Sequence, residues 1–290
     1  MPSSKNEPAG FQRISLIRQS LGAIHAFIKA PDLRSDWSTF EAPMRKQPDK
    51  TDEIVYIQQV TKTVAAHYRL ANTTFIVGIN PALKTLACVE VRSANEIFIE
   101  YNYKGRLNQA ELWAVMAHEV AHIFLNRLGL SFADRLQNEI LTDTTAIYLG
   151  FGRYYLSAQR TEFRSHPLET KKTTIIKTLG YISSAEMGYI LSQRDHVMKE
   201  CSYKRIESDI GRAGYRSGNK FFKKELRERP YIRRNILDQF LQRIRPVSGN
   251  KRGRITFPCI VCKRLIRIPE LNKSLSVKCP HCFEKLRCFS

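Results

Sequence analysis

The sequence predicts an α+β fold in which helices flank a short sheet and a small cysteine-rich module follows. Two observations support this. Apolar residues recur at helical spacing near the N-terminus, and three short runs between residues 74 and 101 have strand-like composition. With 290 residues, of which 43% are hydrophobic, the chain can bury a sizeable core. This composition excludes a wholly disordered protein.

Two helices are predicted before the sheet. The first covers residues 11–30, where apolar side chains recur at three- and four-residue steps until Pro31. The second begins at Thr51, a capping residue followed by two acidic residues. Helices are expected to dominate after the sheet. The predicted strands are Thr74–Ile79, Thr85–Val91 and Glu96–Tyr101.

Residues 118–122 read HEVAH, an HExxH pattern within a predicted helix. Asn108 begins this helix with a capping box, and Gly129 is placed to end it. Because positions i and i+4 share a helix face, His118 and His122 can reach one metal ion. The carboxylate of Glu119 would then lie beside that ion.

A second helix is expected after the short connection at Gly129, so the two helices should form an antiparallel hairpin. At about 1.5 Å rise per residue, Glu139 lies level with His122, and Asp143 lies level with His118. This arrangement suits a Glu ligand and a second carboxylate that orients an imidazole. Asp143 stays open as an alternative ligand.

HExxH followed by NExxxD from residue 138 resembles the signature of the gluzincin metallopeptidases, the thermolysin-like group. The match covers roughly residues 72–150. The resemblance implies a zincin-like catalytic domain with a short sheet and an active-site helix hairpin. It implies His118, His122 and Glu139 as ligands of a catalytic zinc, Glu119 as general base, and Asp143 as the hydrogen-bond partner of a ligand histidine.

Related zinc peptidase groups fit less well. Metzincins need a Gly and a third His where this chain has Leu125 and Leu128. SprT-type proteases combine HExxH with a C-terminal zinc ribbon, but they use a later His, and the next one here is His166. Ligation by Asp143 would instead resemble the aspzincins.

The implied reaction is peptide-bond hydrolysis by a zinc-bound water. Glu119 would take a proton from this water and pass it to the leaving amine. The strand Glu96–Tyr101 either pairs with an extended substrate, by analogy with other zincins, or is an ordinary strand of the sheet. A hydrogen-bond donor for the developing oxyanion is also expected. The candidates are Tyr154, Tyr155, His166 and Tyr181.

Four cysteines near the end of the sequence form two Cys-x-x-Cys pairs, Cys259 with Cys262 and Cys279 with Cys282, separated by 16 residues. This spacing is typical of a four-cysteine zinc ribbon. A module of this size has too little core to fold alone, so a structural zinc would stabilise it. We therefore expect two zinc ions per chain, one catalytic and one structural.

The net charge of +20 is concentrated late in the sequence. Residues 201–254 hold 16 Lys and Arg against 5 Asp and Glu, interleaved with aromatic residues. This segment is either a solvated face over a small helical core or a phosphate-binding surface for DNA or RNA that the ribbon extends, through residues 201–290. The predicted division is 1–200 for the zincin-like domain, 201–254 for the basic helical segment and linker, and 255–290 for the ribbon.

Taken together, the sequence predicts a cytoplasmic zinc metalloendopeptidase acting on a protein or peptide substrate. No apolar run approaches the roughly 18 residues that span a bilayer, so no membrane partner is expected. No apolar signal-peptide segment follows the first basic residue. The alternative is a non-catalytic nucleic-acid-binding or regulatory protein with a degenerate zincin fold.

Overall fold

Helices and small sheets alternate along the chain, so the α+β prediction is confirmed. None of the described helices is long and apolar enough to cross a membrane. The structure is a computed structural model, and it describes residues 9–28, 37–43, 53–70, 72–93, 95–102, 107–165, 172–177, 179–227, 254–269 and 276–287.

The two N-terminal helices are α1 (Ile14–Phe27) and α2 (Glu53–His67). Helix α1 is shorter than predicted at both ends, and it buries an apolar stripe that includes Ile17 and Leu21. The predicted cap at Thr51 lies outside the described residues. His25 of α1 is buried, and its Nε2 lies 2.8 Å from the hydroxyl of Tyr148. This hydrogen bond also links α1 to the rest of the core.

The first sheet consists of β1 (Thr74–Ile79), β2 (Ala87–Ser93) and β3 (Glu96–Tyr101). Strand β3 lies in the centre, parallel to β1 and antiparallel to β2. The prediction that Glu96–Tyr101 pairs with substrate is therefore wrong, because both of its edges already carry a neighbouring strand. The open edge that faces the candidate site belongs to β2, which begins two residues later than predicted.

The predicted helix hairpin follows as α3 (Gln109–Arg127) and α4 (Arg135–Ala146). The expected capping box is present, because the Asn108 side chain accepts from the backbone N–H of residue 111 and the reciprocal bond also forms. Gly129, at φ +64°, turns the chain after α3. The Asp134 side chain then caps α4. Helix α3 is buried on most of its surface, and the carboxylates of Glu111 and Glu119 are buried with it.

A five-residue π-helical segment, Ile147–Phe151, and the short helix α5 (Gly152–Ser157) extend the hairpin. Strands β4 (Arg160–Ser165) and β5 (Lys172–Lys177) then pair antiparallel. Helices were expected to dominate after the first sheet, and this hairpin was not predicted. Its β-branched residues, concentrated in β5, are the sequence signal for it.

Helices α6 (Ser184–Met198) and α7 (Asp209–Arg227) pack closely against each other through glycines. A Cβ added at Gly218 would lie 2.0 Å from the backbone nitrogen of Tyr189, and one at Gly188 would lie 2.3 Å from the carbonyl oxygen of Gly214. Only glycine permits this backbone approach. Most of the predicted basic segment beyond α7, residues 228–253, lies outside the described residues.

The C-terminal module contains two hairpins, with β6 (Arg254–Pro258) paired to β7 (Leu265–Pro269) and β8 (Ser276–Lys278) paired to β9 (Lys285–Arg287). It contacts the helices through Lys263, whose ammonium lies 3.0 Å from the Glu225 carboxylate of α7. The same carboxylate accepts a hydrogen bond from Tyr189 and pairs with Arg18 of α1. The module and three helices therefore share one charged contact.

Candidate metal centres

Three side chains from the helix hairpin converge, and we call them the His/Glu group: His118 and His122 on α3, and Glu139 on α4. Their three nearest ligand atoms all lie within 4.8 Å of one another. The two Nε2 atoms are 3.1 Å apart, and Glu139 Oε2 lies 3.1 Å from His118 Nε2 and 3.4 Å from His122 Nε2. This geometry favours Glu139 over Asp143 as the third ligand.

Asp143 lies behind the first imidazole, fully buried, with Oδ1 2.9 Å from His118 Nδ1. It also accepts hydrogen bonds from the backbone N–H of Tyr181 at 2.6 Å and from the hydroxyl of Tyr155 at 3.3 Å. Gly180, at φ +89°, makes the approach of that backbone feasible, because a Cβ there would lie 2.8 Å from Asp143 Oδ2. The carboxylate is thus held in a position that orients His118.

The second imidazole has a partner that sequence reasoning missed. Thr142 Oγ1 lies 3.2 Å from His122 Nδ1 and donates its own hydrogen to the carbonyl of Asn138 at 2.9 Å. Because that hydroxyl hydrogen is used, the oxygen can only accept from the imidazole. The signal was available in the sequence, since Thr142 follows Glu139 by three residues on the same helix face.

These outer bonds place the hydrogens of both neutral imidazoles on Nδ1, so both Nε2 atoms present lone pairs to Glu139. Three acceptors this close together repel one another unless a cation lies between them. Burial lowers the pKa of His118, but its hydrogen bonds to Asp143 and Glu139 outweigh burial and raise that pKa to about 10. Without a metal, an imidazole that carries a second proton on Nε2 donates it to Glu139 instead, and such hydrogen bonds hold the pKa of Glu139 well below its usual range. The His/Glu group therefore fits a metal cation.

Glu119 lies next to the His/Glu group without belonging to it, and only 8% of its surface is exposed. Burial raises the pKa of its carboxyl, although positive charge on the neighbouring imidazoles opposes the rise. A carboxylate with a raised pKa is suited to accept a proton and to return it. Asn138 of the NExxxD pattern, in contrast, holds the turn between the helices through both backbone groups of Phe132.

A cleft of about 720 Å³ opens over the His/Glu group. One wall is the edge strand β2, and the other includes Tyr181, whose ring stacks on His118 at a centroid distance of 6.1 Å. Tyr181 is 39% exposed and is the oxyanion candidate that borders open space. Tyr155 is buried against Asp143, the hydroxyl of Tyr154 is bonded to the backbone of residue 42, and His166 lies outside the described residues.

The second predicted centre, which we call the cysteine group, consists of Cys259, Cys262, Cys279 and Cys282. All four side chains are buried, and their sulfur atoms lie within 4.8 Å of one another. Each Cys-x-x-Cys pair is followed directly by a residue at positive φ, Lys263 or Phe283, and the two turns have the same hydrogen-bond pattern. Four converging thiols can hold a metal ion and leave no ligand position for substrate.

The structure thus brings together the predicted residues of both centres. We compared the chain with models of known protein families, with curated proteins and with solved structures. None of the three comparisons found a match.

Proposed function

We propose that this protein is a zinc-dependent metalloendopeptidase that hydrolyses peptide bonds in the cleft above the His/Glu group. The observation that carries the proposal is the convergence of three lone-pair donors beside the buried carboxylate of Glu119. His118, His122 and Glu139 would hold the zinc. A zinc ion bound there would lower the pKa of a water molecule and polarise a peptide carbonyl.

The chain itself supplies the remaining steps. The Glu119 carboxylate takes a proton from the attacking water and passes it to the nitrogen of the leaving amine. Asp143 and Thr142 accept the Nδ1 hydrogens of the two imidazoles, so that both Nε2 atoms present lone pairs once zinc displaces the additional proton of His118. Tyr181 is the candidate donor to the developing oxyanion. The outer edge of β2 has no neighbouring strand among the residues that the structure describes, so it is the edge that could pair with an extended peptide.

The test is a proteolysis assay on unfolded casein with the zinc-loaded protein and its Glu119→Gln variant. We expect the variant to lose roughly 10²–10⁴-fold in rate, because the proton carrier is removed, while its metal content is unchanged. Glu96→Gln serves as the matched control, since Glu96 is exposed and does not line the cleft. Wild-type turnover in Glu119→Gln would overturn the proposal.

A second candidate function, nucleic-acid binding, is supported by one face of α7. Five cations share this exposed face at helical spacing, and Glu225, the acidic residue within this stretch, lies on the opposite, buried face against Arg18 and Lys263. Such a stripe is suited to a phosphate backbone and could recruit the peptidase to it. The five are Arg216, Lys220, Lys223, Lys224 and Arg227.

Fluorescence anisotropy with single- and double-stranded DNA and with RNA tests this second function. Affinity should fall steeply with salt, and Lys223→Glu should weaken binding and flatten the salt dependence. Lys62→Glu on α2 makes the same charge change away from the stripe and should have little effect. Equal losses in both variants would indicate non-specific attraction to a basic protein.

A further inference from the structure

The cleft is lined by two cations that have no role in the proposed chemistry, Lys84 and Arg135. Both are exposed, and neither side chain forms a hydrogen bond or ion pair in the part of the chain that the structure describes. The carboxylates that line the same cleft are Glu119, Glu139 and Asp143, which surround the imidazoles. A molecule bound away from the imidazoles therefore meets positively charged side chains along the walls of the cleft.

Arg135 is well placed to meet a substrate near the reacting bond. It is the first residue of α4 and lies one helical turn before Glu139, so the two side chains share a helix face. Arg135 lines the same cleft as Cys88 of β2 and Tyr181, which stand on its two walls. Its side chain therefore borders the space between the two walls.

The wall opposite α4 is apolar along the edge strand. Val89 and Val91 of β2 line the cleft, together with Val115 and Ile123 of α3. A peptide that pairs with the edge of β2 would bury its apolar side chains there and carry alternate side chains past the guanidinium. Recognition of a carboxylate by arginine is directional, because the planar guanidinium offers paired N–H donors.

From this arrangement we propose that the cleft selects peptides with an Asp or Glu side chain within about two residues of the scissile bond, bound by Arg135 and supported by Lys84. This inference deepens the proposed peptidase function and rests on it for the position of the scissile bond. It assigns the substrate class as acidic segments with apolar neighbours.

A binding experiment tests the inference without requiring turnover. The zinc-loaded Glu119→Gln variant is titrated into two fluorescent peptides that are identical and apolar, except that one carries a central Glu and the other a Gln. We expect the Glu peptide to bind about tenfold more tightly, as for a charge-assisted pair in a partly enclosed cleft. Adding Arg135→Glu should abolish or reverse the preference, whereas adding Lys62→Glu, the same charge change on α2, should preserve it.

Equal affinity for the two peptides would overturn the inference, and so would a preference that survives Arg135→Glu. Cleavage by the native chain is measured in parallel with the same peptides. If neither peptide is cleaved but Arg135-dependent binding persists, the acidic-ligand site stands and the peptidase function fails. If both are cleaved at equal rates and bound equally, the peptidase function stands and the charge selection fails.

Discussion

In the cysteine group, four ligand atoms come from two matching turns of a module with few other buried residues, whereas in the His/Glu group three come from two helices inside the main core. The four thiols are buried on all sides. The His/Glu group instead opens onto a cleft, and His122 keeps 31% of its side chain exposed. The same kind of ion would therefore have different roles in the two places.

The difference lies in what positions the ligands. Helix α3 buries apolar residues on most of its surface, so it stays folded whether or not a metal is bound. Its imidazoles are then oriented by Asp143 and Thr142 on α4. The cysteine module has a much smaller core, so we expect its turns to depend on a bound metal ion. We therefore expect the fold to position the ligands of the His/Glu group, and a metal ion to stabilise the fold of the cysteine module.

The largest effect should follow from disrupting the cysteine group. Cys262→Ser should lower the free energy of unfolding of the zinc-loaded chain by more than about 4 kcal/mol, because metal binding and ribbon folding are coupled. His122→Ala, at the His/Glu group, should lower it by clearly less, because the helix keeps its packing and only the contribution of zinc binding to an already folded site is lost. Chemical denaturation followed by circular dichroism measures both values. Similar losses in the two variants would remove the distinction between the centres.

Much of the His/Glu group could be predicted because helical spacing is local. The capping box at Asn108 and the turn at Gly129 fixed the length of α3, and this length placed Glu139 and Asp143 level with the two imidazoles. The strands β1 and β3 were also predicted with their observed bounds, because the apolar run of β1 and the alternation of apolar residues in β3 are properties of neighbouring positions.

Sheet order and the second wall of the cleft could not be predicted in this way. The central position of β3 depends on which strands pair with each other, and local sequence patterns do not determine that pairing. Likewise, the backbone N–H of Tyr181 reaches Asp143 across 38 residues, through a hairpin that was not predicted. The contact of Lys263 with Glu225 is also long-range, and no motif signals it.

The next largest effect concerns pH at the His/Glu group. The pKa of His118, about 10, lies above its usual value, so below that pH the residue carries a proton that a metal ion must displace. Zinc affinity at this centre should therefore rise about tenfold per pH unit, or about 100-fold between about pH 7 and pH 9, and level off above about pH 10. Competition with a chromophoric chelator measures this affinity, at chelator concentrations that leave the cysteine group loaded with its own ion. A flat profile over this range would contradict the assignment of His118 Nε2 as a ligand atom.

Asp143→Asn should have a smaller effect. The amide can still accept from the Tyr181 backbone, but it no longer offers a charged acceptor to the Nδ1 hydrogen of His118. We expect zinc affinity at the His/Glu group to fall about 10–100-fold at neutral pH, as for other buried partners of metal ligands. Asp195→Asn, a buried carboxylate on α6 bonded to Ser202, controls for general loss of stability. Equal losses of zinc affinity in the two variants would mean that Asp143 acts only through the fold.

The smallest effect should come from Thr142→Val, which removes a neutral acceptor from His122 without changing the shape of the side chain. We expect less than about a tenfold loss of zinc affinity, because a neutral hydrogen bond contributes less than the charged one from Asp143. Thr145 is a closely matched control, since its hydroxyl also donates to the carbonyl four residues earlier on α4, at 2.7 Å, but contacts neither imidazole of the group. Thr145→Val should therefore lower stability as Thr142→Val does and leave zinc affinity unchanged. If the two variants bind zinc equally, His122 is oriented by packing alone, and the two imidazoles of the centre are held by different means.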